Sequence, residues 1–500
     1  MPKQEDTIAA VDLGSNSFHL QIARVVDEQV YELDSIKETV RLAAGLDDAK
    51  RLTEAAQETA LACLGQFGER LRGFAPDNVR AVGTNALRIA RNSRTFIARA
   101  ERVLGFPIEI IAGREEARLI YLGVAHSLPQ SDDNRLVVDI GGGSTECIVG
   151  RAFEPLFTES LYMGCVSYTQ QFFSDGKISA GRMQRAEIAA RAELQTITGL
   201  FHDAGWSQAY GSSGTARALS EIIFQNGYGD RAITADGLER LRARFIDVGD
   251  LRRLDAIPGV SADRAPVIAG GLAIMSAVFA ELSIERMDIS PYALRHGVLF
   301  DLIGRSHHHD MRETTVQQFE RRYSVDREQG KRVRGLAMRL IDPLASAMPE
   351  AEREHALQRL DWACRLHEIG ISIAYSGYHK HSAYIARNAD MPGFSRSDQE
   401  CLAAVLLAHR GSLAKAVAAI DAIDDGALWP QILMLRLACM LSRRRARRED
   451  PPIAVMMDGT TIILGVADSW LLQHPLSAAA LENEVGQWKS IGRRLVLERS

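Results

Sequence analysis

The chain has 500 residues, 46% of them hydrophobic and 25% charged, with a formal net charge of −5 at pH 7. This composition is typical of a globular protein with enough chain for roughly three or four domains, and the negative balance argues against a globally basic nucleic-acid binder. Six scattered cysteines without metal-ligand spacing, and the lack of a run of ~20 apolar residues, predict a reduced cytoplasmic protein, while peripheral membrane association stays open.

The first predicted elements are two strand-like runs within residues 8 to 25, joined by a short polar turn. The segment reads IAAVDLGSNSFHLQIARV, with Asp12 at the end of the first run. Further strands are predicted at 29 to 42, 78 to 84 and 107 to 113, and a helix at 52 to 71. This alternation indicates a mixed α/β fold.

A pair of glutamates, Glu115 and Glu116, begins the next predicted helix, REEARLIYLGVAHSL. Acidic residues are common in the first turn of a helix because they complement the helix dipole. A carboxylate at this position could also orient a water molecule and accept its proton as the water attacks a terminal phosphorus. Two turns of the chain, one after Asp12 and one after Asp139, suit phosphate and metal, as described below, and they favour the second interpretation.

The segment LVVDIGGGSTECIV, residues 136 to 149, repeats the first pattern. Three positions match between the two segments: Asp12 and Asp139, Gly14 and Gly141, and Ser17 and Ser144. Backbone amides in so bare a turn can bind phosphate oxygens, and the aspartate can hold a hard cation such as Mg²⁺ that bridges to phosphate. Ordinary hairpin turns and a chance recurrence are the alternatives, but the repeat favours two similar lobes that face one ligand.

The second lobe continues with predicted strands near 155 to 163, a long helix from 181 to 201 and a third turn, AYGSSGTARAL. Amides at a helix N-terminus can bind an anion, although a plain capping turn is an equally good interpretation. After GRSHHHDMRE the strand pattern stops and long amphipathic helices follow, which predicts a domain boundary. His307, His308 and His309 in this segment are interpreted as a solvated hinge rather than as metal ligands.

The predicted domains are therefore a first lobe at 1–128, a second lobe at 129–305, a helical domain at 311–450 and a small α/β piece at 451–500. The last piece is predicted because PPIAVMMDGTTIILGVADSWL alternates like strands.

Seven motifs resemble, in this order, those of the exopolyphosphatase and guanosine pentaphosphate phosphohydrolase family: AAVDLGSNSFHLQIA, VGTNALRIARNS, IEIIAGREEARLIYLGV, VVDIGGGSTE, MGCVS, GSSGT and SPYALRHGVL. The resemblance extends through about residue 305. It implies the fold of the sugar kinase, heat-shock ATPase and actin superfamily, in which two ribonuclease H-like lobes each carry an Asp-turn that grips phosphate.

Position by position, the resemblance implies Glu116 as the catalytic base and Glu146 as its acidic partner. It implies Asp139 as the magnesium ligand, with Asp12 in the matching position of the first lobe. The phosphate-binding residues that it implies are Gly14, Ser15, Asn16, Ser17, Arg88, Gly141, Gly142, Gly143, Ser144 and Thr145, and those of the third turn, Ser212, Ser213, Gly214 and Thr215. A solvated helix arginine is the alternative interpretation of Arg88.

Beyond about residue 310 the chain is similar to HD-type phosphohydrolases. The residues in question are His367, Glu368, His379, His381 and His409. The paired dipeptide is His-Glu rather than His-Asp, and an upstream histidine is missing, so we expect a degenerate metal site. The module is expected to guide substrate and mediate dimerisation rather than to form a second active site. The arginine run from Arg443 to Arg448 is either a solvated face or part of a polyphosphate-binding track.

These expectations describe a magnesium-dependent exopolyphosphatase that removes phosphate processively from the end of inorganic polyphosphate, as a homodimer that binds no nucleic acid. A monovalent cation such as K⁺ is a further candidate cofactor. The main rival is conversion of guanosine pentaphosphate to the tetraphosphate, which would place the protein in the stringent response. A sugar kinase or ATP-driven clamp and a non-enzymatic alarmone sensor are alternatives from other classes, which the glutamate pair and Asp139 disfavour.

Overall fold

The order of strands and helices follows the alternation seen in the sequence. The computed structural model describes residues 7–26, 29–129, 131–306, 310–423, 425–426, 428–445, 451–458 and 461–500. The chain divides into two units, Met1–Met311 and Arg312–Ser500. His307, His308 and His309 and the end of the arginine run, residues 446 to 448, lie outside the described residues, so the predictions made for them are not addressed by the structure.

The first unit contains two sheets with helices packed on them. Its strands are β1 (Thr7–Leu13), β2 (Phe18–Val26), β3 (Gln29–Glu38), β4 (Val79–Gly83), β5 (Ile108–Ile110), β6 (Asn134–Ile140), β7 (Thr145–Arg151), β8 (Glu154–Leu161), β9 (Gln208–Ser212), β10 (Ile233–Thr234) and β11 (Arg286–Ile289). Its helices are α1 (Glu54–Arg70), α2 (Asn85–Ile89), α3 (Ser93–Leu104), α4 (Gly113–His126), α5 (Cys165–Phe172), α6 (Ala180–Ala204), α7 (Ser213–Gln225), α8 (Ala235–Val248), α9 (Ile268–Glu281) and α10 (Leu294–Ser306).

The two sheets share one topology. Their strand orders are β3-β2-β1-β4-β5 and β10-β11-β9-β6-β7-β8. In each, the first three strands form an antiparallel meander, and the fourth pairs parallel with the first, β4 with β1 and β9 with β6. The five residues of β4, VRAVG, are all buried, as expected for a central parallel strand. The predicted fold of two similar lobes is therefore confirmed.

Helices α4 and α10 cross between the two sheets at a pair of glycines. One hydrophobic cluster contains side chains from both sheets, such as Val82 and Val137, together with apolar residues of α4 and α10. A Cβ on Gly297 would lie 1.7 Å from the Leu119 carbonyl oxygen, and one on Gly123 would lie 2.7 Å from the Gly297 nitrogen. The backbones approach too closely for any other residue, so the crossing fixes α4 relative to α10.

Two predicted strands are too long. The strand expected at 107 to 113 covers only Ile108–Ile110, because Ala112 is extended and caps a helix that begins at Gly113. The strand expected at 29 to 42 ends at Glu38, since Arg41 has a φ of 54° and a short 3-10 turn follows at Leu42–Gly45. In both places local backbone requirements at a helix start overrode the apolar pattern.

The second unit is mainly helical and ends in a small sheet. Its helices are α11 (Met311–Arg322), α12 (Arg327–Ala345), α13 (Glu350–Leu366), α14 (Tyr378–Asn388), α15 (Arg396–Ala408), α16 (Val417–Asp421), α17 (Leu428–Leu441), α18 (Asp468–Gln473) and α19 (Pro475–Ser490). Its strands, β12 (Ile453–Asp458), β13 (Thr461–Val466) and β14 (Leu495–Arg499), form a sheet in that order. One hydrophobic core includes residues of both the helices and the sheet. The division into four domains stays a prediction.

Candidate active site

Both Asp-turns are tight connections between antiparallel strands. Residues 14–17 join β1 to β2, and residues 141–144 join β6 to β7. The Gly141 N–H donates a hydrogen bond to the Ser144 carbonyl at 2.9 Å. A Cβ on Gly14 would lie 2.7 Å from the Ser17 carbonyl oxygen, so the first turn needs a glycine at its start.

The two turns lie against each other. A Cβ on Gly142 would lie 3.0 Å from the Ser15 Cβ, and a Cβ on Gly143 would lie 2.6 Å from Asn85 Oδ1. Ser15 Oγ accepts a hydrogen bond of 3.1 Å from the Ala86 N–H, which holds the first turn in place. Backbone from both lobes therefore borders one narrow space, an arrangement that can hold a phosphate group from two sides.

One cleft of the first unit is lined by most of the residues that the resemblance implied. Those that line it are Asp12, Gly14, Ser15, Asn16, Ser17, Glu116, Asp139, Gly141, Gly142, Ser144, Ser213, Gly214 and Thr215. The described lining does not include Gly143, Thr145, Ser212, Arg88 or Glu146. Thr145 and Ser212 use their hydroxyls internally, since they donate to the carbonyls of Met163 at 2.6 Å and Tyr292 at 3.1 Å.

Glu116 reaches the cleft from the first turn of α4. Arg88 Nη1 donates to Glu116 Oε2 at 2.6 Å and to the Ile111 carbonyl at 3.0 Å, so the arginine fixes the direction of the carboxylate. Arg88 is partly buried here as the partner of Glu116, and its implied contact with phosphate stays a prediction. Glu146 lies on β7, where its Oε1 accepts a hydrogen bond of 2.8 Å from the Ser160 hydroxyl.

The third turn combines a strained residue with a close arginine. Ser213, the first residue of α7, has a φ of 75°, an uncommon value for a residue with a side chain. The hydroxyls of Ser213 and Thr215 donate to the Ile140 carbonyl at 3.1 and 2.8 Å, which fastens this turn to the end of β6. The guanidinium of Arg264 lies directly over Gly214, where a Cβ would come within 1.8 Å of it.

Cross-strand pairing places the site residues in two rows. In the first sheet Asp12 pairs with His19, and His19 pairs with Lys37, so the three side chains share one face. In the second sheet the corresponding row is Asp139, Glu146 and Ser160. One row thus ends in a cation, and the other carries a second carboxylate. The cleft is electrically asymmetric as a result.

The carboxylates of the site are buried close together. Burial, with Glu116 and Asp139 nearby, raises the pKa of Asp12 to about 8, although Arg295 opposes this. Burial raises the pKa of Asp139 to about 6, and the nearby hydroxyls of Ser212 and Ser213 oppose this shift. Burial, with Glu116 and Asp139, also raises the pKa of Glu146. At neutral pH the raised pKa of Asp12 favours its protonated form, and a bound cation would favour the carboxylate.

The donor set fits a hard divalent cation. The Oδ1 atom of Asp12 is buried and has no hydrogen-bond partner within the described residues. Within the same ranges, no group of three or more His, Cys, Asp or Glu side chains is arranged to hold a metal ion by itself. Mg²⁺ usually takes one or two carboxylates and completes its shell with water and substrate phosphates, so a partial protein site suits it.

A cluster of four cations lines the same cleft and was missed in the sequence. We call it the cation cluster: Lys37, Arg217, Arg264 and Arg295. Burial and the charge of a fellow member lower the pKa of Lys37, beside Arg264, and of Arg295, beside Arg217. Such mutual repulsion marks an excess of positive charge that an anion would relieve.

Two members of the cation cluster could have been found from the sequence, because they lie in or next to recognised motifs. Arg217 follows the third turn by two residues, and Arg295 lies inside the motif SPYALRHGVL. Lys37 and Arg264 had none, because only strand register and the approach of the two lobes bring them to the cleft. His19 was also missed; burial and the nearby Arg295 lower its pKa to about 3, so it is a neutral imidazole between Asp12 and Lys37.

The histidines of the helical unit lie close together but differ in burial and in their contacts. His367 and His409 are buried, with ring centroids 5.7 Å apart, and each has its Nδ1 next to a backbone carbonyl. Glu368 forms an ion pair with Arg445. His379 stacks edge-on to His409, whereas His381 is only half-buried. Whether the module lacks catalysis stays a prediction.

Two family models and a relative of known name match this chain. Residues 21–306 match the model of the Ppx/GppA phosphatase family, and residues 311–485 match that of the Ppx/GppA phosphatase, domain III. A guanosine-5'-triphosphate,3'-diphosphate pyrophosphatase of Pseudoalteromonas translucida (strain TAC 125) is 38% identical over 496 residues, 99% of both chains.

Solved structures resemble about 60% of the chain. An exopolyphosphatase from Cytophaga hutchinsonii ATCC 33406 is 27% identical, with a TM-score of 0.55, over 60% of this chain and 98% of that one. A Ppx/GppA family member from Aquifex aeolicus is 25% identical, with a TM-score of 0.52, over 60% and 99%.

The fold and the cleft define a two-lobed phosphoanhydride hydrolase, in which the two Asp-turns and Glu116 line one cleft. The chain belongs to the Ppx/GppA phosphatase family. The family, fold and enzyme class predicted from the sequence are confirmed.

Proposed function

We propose that the protein hydrolyses the terminal phosphoanhydride bond of inorganic polyphosphate and releases orthophosphate. The observation that carries this proposal is that the Glu116 carboxylate lines the same cleft as the two facing Asp-turns. A terminal phosphate held by amides of both turns would lie beside a buried base, with no need for a nucleotide. The cation cluster supports a substrate that carries several further negative charges.

Glu116 is the proposed general base. Its carboxylate, directed by Arg88, would accept a proton from a water molecule as the water oxygen attacks the terminal phosphorus and the bond to the bridging oxygen breaks. Glu146 lies near enough to influence Glu116 electrostatically, and Ser160 holds it in place, which supports a role in orienting that water.

Asp139 and Asp12 would hold Mg²⁺, which when bound neutralises charge on the phosphate oxygens. The raised pKa values of these carboxylates and the unpartnered Oδ1 of Asp12 support this pair as ligands. A monovalent cation such as K⁺ is a further candidate, for which the described residues offer no particular donor set.

We infer the orientation of the substrate from the charged side chains that line the cleft. Three carboxylates, Asp12, Glu116 and Asp139, line the cleft together with the cation cluster, and Lys37 lies two strands away from Asp12 in the row of cross-strand pairs. A linear phosphate chain would place its terminal group at the acidic, metal-binding end and its remaining phosphates along the cations. The leaving segment is thus stabilised as it gains negative charge.

Conversion of guanosine pentaphosphate to the tetraphosphate is the second candidate. It is favoured by the name of the relative from Pseudoalteromonas translucida, which matches over the whole chain at 38% identity. Its substrate also ends in a phosphoanhydride that could enter the same turns. This activity would connect the protein to the stringent response.

We further propose a cytoplasmic homodimer that degrades long chains processively and binds no nucleic acid. All six cysteines are free, which suits a reducing compartment. No helix among the described residues has both the length and the apolar character needed to cross a bilayer. Sedimentation of the purified protein would test the dimer.

The deciding experiment compares substrates under identical conditions. Purified full-length protein with Mg²⁺ is incubated with long-chain polyphosphate, with guanosine pentaphosphate, and with ATP plus a sugar, and orthophosphate and products are measured. The proposal expects release of orthophosphate from polyphosphate with the highest kcat/KM. A higher kcat/KM for guanosine pentaphosphate would establish the second candidate, and phosphorylated sugar would refute both.

A further inference from the structure

An ion pair joins the two lobes at the cation cluster. Lys37 Nζ on β3 of the first lobe lies 3.8 Å from Asp263 Oδ2, in the segment before α9 of the second lobe. The two side chains are 41% and 43% exposed. A pair this long and this exposed contributes little to stability, so it can open at small cost.

Asp263 is held in position by its own neighbours. Its Oδ1 accepts a hydrogen bond of 2.5 Å from the Ser261 hydroxyl, and its Oδ2 is 3.9 Å from Arg264 Nε. The hydrogen bond from Ser261, helped by Lys37 and Arg264, lowers the pKa of Asp263, so the group is a carboxylate at neutral pH. A fixed negative charge therefore lies beside two of the four members of the cation cluster.

The cluster has more positive charge than Asp263 can balance. Lys37, Arg217 and Arg264 influence one another electrostatically, and Arg217 and Arg295 do the same. Asp263 partly neutralises Lys37 and Arg264, while Asp139 acts on Arg217, and Asp12 and Glu32 act on Arg295. A phosphate group carries more charge and more acceptor oxygens than a carboxylate, so it would form stronger charge-assisted hydrogen bonds with the same cations.

We propose that Asp263 occupies the place of a substrate phosphate and is displaced from Lys37 by a phosphate of the leaving segment, so that it competes with the phosphates that a long substrate carries beyond the bond that is cut. This inference rests on the proposed function. It makes Asp263 a specificity-determining residue rather than a catalytic one.

The different response expected for long and short substrates follows from the distance between Asp12 and Lys37. Lys37 lies two strand spacings from Asp12 in the row of cross-strand pairs, roughly 10 Å. A substrate with one or two phosphates beyond the terminal group extends less far towards Lys37 than a long chain does, so we expect it to leave the ion pair closed and not to compete with Asp263. A longer chain reaches Lys37 and exchanges the weak pair for stronger contacts.

The test is Asp263→Asn, with long-chain polyphosphate and tripolyphosphate compared. Removing the competing charge should lower KM for the long chain about two- to fivefold, the size of effect expected from a half-exposed ion pair, and change KM for tripolyphosphate less. The matched control is Asp230→Asn, which removes the same charge from a surface pair with Arg286, remote from the cleft lining. The control should leave the ratio of the two KM values unchanged.

A double-variant cycle links the effect to Lys37. In a Lys37→Gln background, Asp263→Asn should no longer favour the long chain, because its partner has been removed. If the pair served only to hold the lobes together, Asp263→Asn would change both KM values alike, with or without Lys37. That result would overturn the inference.

Binding measured without turnover separates this inference from the proposed function. Dissociation constants for the two chains are determined by calorimetry with full-length Glu116→Gln, with and without Asp263→Asn. Failure of the proposed function would appear as no turnover of polyphosphate by the wild-type protein. Failure of the present inference would appear as an unchanged ratio of dissociation constants.

Discussion

Arg88 and Glu116 form an ion pair of 2.6 Å in which the arginine also bonds the carbonyl of Ile111. The guanidinium therefore connects the Glu116 carboxylate to the backbone just before α4. This pairing gives Arg88 a positioning role that its implied contact with phosphate did not include. A substitution of Glu116 by glutamine removes its charge but keeps the shape of the side chain, so we expect α4 to stay folded.

Glu116→Gln should fold normally and bind substrate, yet lose most turnover. The amide cannot accept a proton, and removal of a general base typically costs on the order of 10²-fold to 10⁴-fold in rate. Orthophosphate release from polyphosphate and thermal unfolding would be measured together. A variant that kept more than half the wild-type rate would show that Glu116 is not the base.

The neighbouring Glu115 provides the matched control. Glu115 is buried and paired with Arg118 at 2.8 Å, on the other side of the same helical turn. Glu115→Gln should lower the free energy of unfolding, because it weakens a buried charge pair, while turnover per folded molecule stays near that of the wild type. The two variants thus separate catalysis from stability.

Asp139→Asn should raise the Mg²⁺ concentration needed for half-maximal activity by at least about tenfold, because a neutral amide binds a hard dication less well than a carboxylate. Mg²⁺ titrations of the residual activity would be compared with those of Glu116→Gln, whose midpoint should stay close to that of the wild type. Equal midpoints for Asp139→Asn and the wild type would remove Asp139 from the metal site.

Asp301 of α10 connects the lobes through buried arginines. Its carboxylate accepts from Arg80 Nη1 at 2.6 Å and Arg305 Nε at 3.1 Å, and it also bonds Arg118 of α4. Asp301→Asn should destabilise the protein by roughly 3–5 kcal/mol, because it removes a buried negative charge that Arg80, Arg118 and Arg305 share. Asp288→Asn, an exposed partner of Arg286, should have an effect within about 0.5 kcal/mol.

The pH dependence of this variant has a defined sign. Burial alone would raise the pKa of Asp301, but Arg118, Arg80 and Arg305 hold it well below its usual range. A lowered pKa in the folded state stabilises the protein above the unfolded value of 3.8 and loses this contribution as the pH falls. Denaturant unfolding of the wild type and of Asp301→Asn should therefore give free energies that converge below about pH 4. A constant difference down to pH 2 would contradict this role.

Gly297→Ala should destabilise the crossing of α4 and α10. The added Cβ would lie 1.7 Å from the Leu119 carbonyl oxygen, so the helices must separate, at a cost of about 1–3 kcal/mol or more. Gly199 of α6 has open space around its Cβ position, so Gly199→Ala should instead stabilise the protein by about 0.5–1 kcal/mol. Chemical denaturation of both variants checks the pair, and a neutral Gly297→Ala would show that the helices can separate freely.

The sequence predicted the elements of the site that are local in the chain. Asp12, Asp139 and the glycines of both turns could be recognised because a strand, an acidic residue and a bare turn follow one another directly. The pairing of Arg88 with Glu116 could not, because it depends on how α2 and α4 approach each other. Lys37 and Asp263 are the clearest omission. Strand register brings Lys37 to the cleft, and Asp263 contacts it from the opposite lobe.

The last prediction concerns the helical unit. The Cytophaga hutchinsonii exopolyphosphatase matches over 98% of its own length while it covers 60% of this chain. Truncation after residue 311 should then leave cleavage of tripolyphosphate largely intact. Cleavage of long chains should release products of intermediate length, because nothing holds the remainder of the chain between cuts.

The basic face of α14 offers a test in the full chain. Lys380 and Arg387 are exposed on this helix, beside His379 and the half-buried His381. Positive side chains of this kind give salt-dependent contacts along which a polyanion can slide. The variant Lys380→Gln with Arg387→Gln should release intermediates as the truncation does, whereas the control Lys489→Gln with Arg494→Gln removes two exposed cations elsewhere in the unit and should not.

Gels of partly digested long polyphosphate would compare these proteins at two salt concentrations, after circular dichroism has shown that the truncated form is folded. Higher salt should increase the intermediates made by the wild type, because it weakens contacts with phosphates. If the truncated protein degraded long chains without intermediates, the helical unit would not tether the substrate. Its cations would then be an ordinary solvated face, and the remaining role to test would be dimerisation.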